Sequence, residues 1–384
     1  MISLAVTASI VLLTAGDGPQ ATASDKPWME QVTVTVGPPV VVAQAVETGL
    51  VWGVWQFPTI SRPEPGKLLV AFNMNEDRPY DNPADLKPPG RYASVDGGMS
   101  WQPCDLEPGF TSLYGPVKLC HRRNGDVLYS SAKSGLMVRH AGSGQWHSVP
   151  FTVEDAITGV ANAGQKHPSL SLYALGQIVE LPDDSLLGVR MTRLQGRGSG
   201  PRPKWGTYCL RSVDDGRTWK SHAVIAQDDA NQPLNGYCEP SVEVMPDGSL
   251  LAALRTEGGM EADQKTGVLY LAQSCDGGLT WSTPRAVNPF GVFPQLLRLD
   301  NNIVVLAFGR PGVNLLFNVD GRGERWQGLT LLVNEGQRFT HTSGYTSLVA
   351  TGADRFLIAY DQFDYPDADG EPRKTILVRE VVVR

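Results

Sequence analysis

A handful of residues in this sequence have side chains that could do chemistry together. Glu239 stands before Pro240 in Tyr237-Cys238-Glu239-Pro240-Ser241, and Arg255 ends the apolar run that follows. Arg310 sits in Phe308-Gly309-Arg310-Pro311-Gly312, and Tyr345 in Gly344-Tyr345-Thr346-Ser347-Leu348-Val349. Three carboxylates, Asp77, Asp81 and Asp85, share one polar stretch far upstream. Carboxylates can move protons, a phenol can attack once a base takes its proton, and a guanidinium can bind both oxygens of a carboxylate while keeping its charge. Metal chemistry is not indicated. The cysteines Cys104, Cys120, Cys209, Cys238 and Cys275 lack the short paired spacings of a zinc site or a redox CxxC, and no motif asks for a cofactor.

These residues need a scaffold that brings distant parts of the chain together. After residue 50 the sequence runs in short apolar stretches broken by Gly, Asp, Asn and Pro: Leu68 to Phe72, Val127 to Ser131, Leu186 to Met191, Leu250 to Arg255, Ile303 to Phe308 and Phe356 to Tyr360. Each reads as a strand, and most follow a turn such as Asn124-Gly125-Asp126, Pro182-Asp183-Asp184 or Pro246-Asp247-Gly248. Six such units predict six blades.

A second repeat fixes the fold class. Ser-x-Asp-x-Gly-x-x-Trp occurs at Ser94 to Trp101, Ser212 to Trp219 and Ser274 to Trp281, with weaker versions at Gly142 to Trp146 and at Asp320 to Trp326, the last one residue longer. In a tight hairpin the Asp accepts backbone N–H groups of its own turn, the Gly allows positive φ, and the Trp supplies a large apolar cover. This is the Asp-box, and blade stability is its expected role. The Trp positions are separated by 45, 73, 62 and 45 residues, which suits blades of about 45 residues with insertions. The prediction is one all-β domain over 26–384: a six-bladed β-propeller of four-stranded antiparallel blades, with the Asp-box tryptophans at its periphery. The sixth blade should join strands before Pro58 to the run Thr375 to Val383, closing the ring and removing exposed edges. The longest gap contains Gly159 to Leu172, a candidate substrate-side loop.

Charge and termini narrow the setting. The 384-residue chain carries a net charge of −7 without a Lys/Arg cluster, so nucleic acid is not an expected partner. Ile2 to Ala15 is apolar but too short to span a bilayer, and the small residues Ala21, Thr22 and Ala23 follow. Residues 1–25 therefore read as a signal peptide or a disordered segment, although no Lys or Arg precedes the apolar run. A secreted, periplasmic or envelope-associated monomer is expected, with no membrane span in the mature chain. In an oxidising compartment one or two disulfides could form, leaving at least one thiol.

The stretch from Glu239-Pro240 through Pro246-Asp247-Gly248 to Arg255 resembles the sialidase (neuraminidase) superfamily, as do the Asp-boxes and the Tyr345-Thr346-Ser347-Leu348 segment. The resemblance covers roughly 50–365. It implies a retaining exo-glycoside hydrolase acting on a terminal acidic sugar of a glycoconjugate, sialic acid foremost. Tyr345 would be the nucleophile, Glu239 its base, Asp81 the general acid, and Arg255 and Arg310 two of three arginines that hold the sugar carboxylate. A neutral phenol suits such a substrate because an anionic nucleophile would be repelled by the carboxylate on the anomeric carbon.

The resemblance fails at one position. Where the family carries Arg-Ile-Pro this chain has Gln56-Phe57-Pro58, so Gln56 replaces the first arginine. Losing one charge-assisted contact costs about 1.5–3 kcal/mol, unless Arg62, Arg78 or Arg91 compensates; Arg78, in the acidic stretch, is the substrate-binding candidate. The alternative is a non-catalytic Asp-box propeller that binds glycans or a protein partner.

Overall fold

A computed structural model describes residues 31–78, 81–105, 118–131, 135–154, 176–194, 204–227, 236–256, 267–288, 290–332 and 341–384. The leader-like segment 1–25 and the Gly159 to Leu172 loop lie outside the described residues.

The chain is a six-bladed β-propeller. Strands β1 (Val34–Val36) and β2 (Val40–Gln44) precede blade 1, which comprises β3 (Gln56–Glu64), β4 (Lys67–Asn73), β5 (Gly90–Ser94) and β6 (Gln102–Pro103). Blade 2 is β7 (Cys120–His121), β8 (Val127–Ser131), β9 (Gly135–Arg139) and β10 (His147–Val149). After β11 (Thr152–Glu154), blade 3 is β12 (Gln177–Glu180), β13 (Leu186–Leu194), β14 (Lys204–Ser212) and β15 (Thr218–Ala226). Blade 4 is β16 (Tyr237–Val244), β17 (Leu250–Thr256), β18 (Leu269–Ser274) and β19 (Arg285–Asn288); blade 5 is β20 (Val292–Arg298), β21 (Val304–Gly309), β22 (Val313–Asn318) and β23 (Trp326–Leu332). Blade 6 is β24 (Thr346–Gly352), β25 (Arg355–Pro366) and β26 (Pro372–Val383). The six apolar runs predicted from sequence all fall on the second strand of their blades.

Closure follows the prediction. β1 and β2 both pair antiparallel with β26, so the N-terminal strands complete blade 6. β11 was not foreseen: it pairs parallel with β15 and gives blade 3 a fifth, outer strand.

Alternation along the strands explains why the blades stack. In β25, Phe356 and Ile358 join the apolar cluster shared with blade 5, while Leu357 and Ala359 join the one shared with blade 1. In β21, Val305 and Ala307 face blade 6, and Val304, Leu306 and Phe308 face blade 4. A period-2 side-chain pattern on a sheet buried on both faces thus feeds two interfaces at once. Near-continuous apolar runs, rather than alternating ones, are the result.

The Asp-boxes lie between the third and fourth strands and share one geometry. In three of them the Ser hydroxyl donates to the Asp at 2.8 Å and accepts the Gly N–H at 2.9 Å. The Trp Nε1–H donates to the Gly carbonyl in Trp101, Trp219, Trp281 and Trp326, at 2.9–3.1 Å. In the longer box Asn318 replaces the Ser, donating to Asp320 at 2.8 Å. The boxes lie on the outer side of their blades, where these tryptophans were expected, and the rings are enclosed there rather than exposed. Trp219 is fully buried, and Trp101 and Trp326 nearly so, because each ring plugs the seam between its own blade and the preceding one: Trp101 packs with blade 6, Trp219 with blade 2, Trp326 with blade 4. Gly216 shows how tight the seam is, since a Cβ there would sit 2.4 Å from Leu136 of blade 2.

The possible disulfides do not form. All five cysteines are separate thiols, spread over four blades, and Cys120, Cys209 and Cys238 are buried. Among the described residues no cluster of three or more His, Cys, Asp or Glu could hold a metal, and no helix is long and apolar enough to cross a membrane.

Candidate active site

The site is built from interrupted innermost strands. β3, β16 and β20 each carry a register shift near their start, and at each shift stands a residue before proline with positive φ: Phe57 (58°), Glu239 (45°) and Phe293 (49°). A bulky residue there costs on the order of 1–3 kcal/mol, and such strain collects where side chains must be aimed. The three form a repeat, Phe57-Pro58, Glu239-Pro240 and Phe293-Pro294, that is visible in the sequence once the blades are aligned.

These kinks bring the predicted residues together. The Tyr345 hydroxyl donates to Glu239 Oε1 at 2.6 Å, and Arg255 Nη1 donates to the same oxygen at 2.6 Å. The other oxygen, Oε2, accepts the Phe293 N–H at 2.8 Å. Phe293 stacks on the Tyr345 ring with centroids 4.5 Å apart, and Phe57 packs against it at 4.6 Å. The Arg310 guanidinium carbon lies 5.4 Å from the Tyr345 centroid and 5.2 Å from that of Trp52, within cation–π range, while Arg310 Nε donates to the Ser343 carbonyl at 2.7 Å. Glu239 and Arg255 keep 14% and 12% of their side chains exposed, so the cluster is recessed but open.

The electrostatics follow from burial and pairing. Burial pushes Glu239 upward, but the Arg255 charge, the hydrogen bonds from Arg255 and Tyr345, and the Arg310 charge together hold its carboxyl below the usual range. Burial, then the neighbouring Glu239 carboxylate, pushes the Tyr345 phenol well above its ordinary value. Burial lowers Arg310. At neutral pH the pair is therefore a neutral phenol donating to an ionised carboxylate.

The fold has solved counterparts of several kinds. A protein of unknown function from Dyadobacter fermentans superposes with a TM-score of 0.64 at 20% identity, covering 91% of this chain and 99% of its own. An α-L-arabinanase from Penicillium chrysogenum, complexed with arabinobiose, gives 0.56 at 12% identity, with 89% and 98% covered. The NanB sialidase from Streptococcus pneumoniae gives 0.52 at 12% identity, with 90% and 70% covered. No curated protein is a significant match to the sequence. Residues 188–368 match the BNR repeat-like domain. That match spans just under half of the chain, and the solved structures share its propeller fold.

Other predicted residues stand apart from the cluster. Asp81 is exposed, and among the described residues it makes no contact with Tyr345 or Glu239. Asp77 of the same loop is better connected: its carboxylate accepts the Trp52 indole N–H at 3.1 Å, and its backbone N–H donates to the Trp52 carbonyl. Arg78 is largely exposed and bonds Glu76 at 2.6 Å. Gln56 has no exposed surface. Its Oε1 accepts the Gly53 N–H at 2.8 Å, so it caps the turn that carries Trp52 instead of presenting its amide to the face of the propeller. The Nε2 group is buried with no partner among the described residues.

Asp361 escaped the sequence reading and is central. It is fully buried in β25 and accepts the Ser343 N–H at 2.6 Å, the Thr342 hydroxyl at 2.9 Å, the Phe57 N–H at 3.0 Å and the Ser343 hydroxyl. One carboxylate thereby ties the backbone before Tyr345 to that of Phe57. Burial pushes its pKa up despite these donors. An Asp directly after the apolar run Phe356 to Tyr360 was the available signal.

Proposed function

We propose that the protein is a retaining exo-glycoside hydrolase of sialidase type that removes a terminal acidic sugar, sialic acid foremost, from glycoconjugates. The observation carrying this reading is the 2.6 Å hydrogen bond from Tyr345 to Glu239, with Arg255 and Arg310 beside it. Tyr345 Oη attacks the anomeric carbon while its proton passes to Glu239, and the bond to the leaving oxygen breaks as a general acid protonates that oxygen. Water then hydrolyses the tyrosyl–sugar bond with the proton flow reversed. Glu239 is too acidic at rest to ionise Tyr345 outright, so proton transfer accompanies attack. Arg310 and Arg255 attract the sugar carboxylate, and Trp52 and Phe57 supply apolar surface for the ring. The acid comes from the loop of Asp77 and Asp81, where Asp77 has the closer link to the cluster through Trp52. Action outside the cytoplasm fits the apolar 2–15 stretch.

A second reading, a propeller that binds glycans without cleaving them, is favoured by the enclosed Gln56. One experiment separates the two. Fluorogenic α-sialosides, uronides and α-L-arabinofuranosides are offered to the wild type and to Tyr345→Phe. Sialoside release that is lost in the variant supports the enzyme. Release from neutral sugars alone moves the substrate class, and no release from any of them supports the binder.

A further inference from the structure

We propose that a cavity at the opposite end of blades 1 and 2 binds a small ligand carrying a phosphate or sulfate group, up to the size of a sugar ester. The candidate active site lies where β3 and β16 begin and β21 ends; this cavity lies at the other ends of those blades. It is formed by the β3–β4 turn, the β7–β8 turn and the segment after β9. Its volume is about 730 Å³, within the usual range for small-molecule sites of about 300–1,000 Å³.

Its lining is cationic in a chain of net charge −7. Arg62 is half-buried, and among the described residues it has no hydrogen bond or ion pair. Arg139 points into the same space with one end anchored, Nη1 donating to the Pro63 carbonyl at 2.6 Å. Among the described lining residues the one carboxylate is Glu64, which pairs with Lys67 at 3.2 Å and Arg139 at 3.7 Å and not with Arg62; the neighbouring Asp126 carboxylate is bonded to His140 and the Ala141 N–H. His121 lines the cavity near both arginines with its side chain exposed at the mouth; partial loss of solvent around the ring, then the Arg62 and Arg139 charges, lower its pKa, and the imidazole can donate a hydrogen bond. Gly142 and Gly144 form part of the rim, where a Cβ would meet nothing within 4 Å. An unpaired guanidinium, a second fixed one and a neutral donor around an open mouth suit a tetrahedral oxyanion, whose oxygens take several charge-assisted bonds at once.

Isothermal titration of the full chain with inorganic phosphate, inorganic sulfate, glucose 6-phosphate, glucose 6-sulfate and glucose tests this. Among the described residues Arg62 holds no other group, so Arg62→Gln should fold as the wild type does. Saturable binding of the esters is expected, tighter than for the bare ions and absent for glucose, weakened about tenfold or more by Arg62→Gln and unchanged by Tyr345→Phe. Phosphate and sulfate esters binding alike assign a general oxyanion site, and preference for one names the group. No saturable binding by any anion, equal affinity in Arg62→Gln, or loss in Tyr345→Phe would overturn the proposal.

Discussion

Tyr345 and Glu239 are 106 positions apart and share a hydrogen bond of 2.6 Å. That bond couples the start of β24 to the kink in β16, and it joins the two groups whose chemistry complements each other.

Removing the phenol oxygen tests it most directly. Tyr345→Phe keeps the ring between Phe293 and Phe57, so the melting temperature should stay near that of the wild type. Turnover of the cleaved glycoside should fall at least about a thousandfold. Turnover within a few-fold of the wild type would remove Tyr345 from the chemistry.

The Glu239 shift sets a pH dependence of stability. A carboxyl held below its unfolded value contributes stability that is present above that value, 4.5 for a glutamate, and is lost as pH falls through the lower folded value. Urea unfolding of the wild type and Glu239→Gln should therefore differ by a constant amount at neutral pH, and the gap should narrow only in acid. A gap that narrows between pH 6 and 8 would contradict the direction of the shift.

The two candidate acids can be ranked by substitution. Asp77→Asn should lower turnover of a substrate with a poor leaving group by about a hundredfold or more, and far less for an activated aryl leaving group. Asp81→Asn should do little if Asp77 is the acid. The reverse pattern would return the role to Asp81.

Asp361 predicts a mixed effect. Asp361→Ala orphans donors on both Phe57 and the Ser343 segment, and at about 1–3 kcal/mol for each buried group left unpaired the loss should reach about 3 kcal/mol or more. Chemical denaturation reads this. Asp361→Asn keeps one acceptor oxygen and should fold, with kcat falling more than KM rises because Tyr345 is less well held.

Gln56→Arg would restore the charge that the family resemblance expects. Gln56 is enclosed and caps the Gly53 turn, so the longer cation should destabilise the protein by about 1–3 kcal/mol without tightening an acidic sugar. Selective tightening of sialosides in calorimetry would show that the position can open onto the site.

The six blades were legible because what defines them is local. An Asp-box closes its bonds within eight residues, as Ser94, Asp96, Gly98 and Trp101 do, and a turn followed by an apolar run needs no distant partner to be recognised. Glu239, Arg255, Arg310 and Tyr345 were found through motifs, yet their meeting point was not in the motifs: it depends on ring closure by β1, β2 and β26 and on kinks that re-aim three innermost strands. Gln56 and Asp361 mark the limit most clearly. By sequence Gln56 is a substituted arginine and Asp361 a carboxylate directly after an apolar run. Only tertiary packing decides that one caps a turn and the other anchors the backbone beside Tyr345, because a buried polar group takes its role from whichever donors the fold leaves within reach, and those donors come from far along the chain.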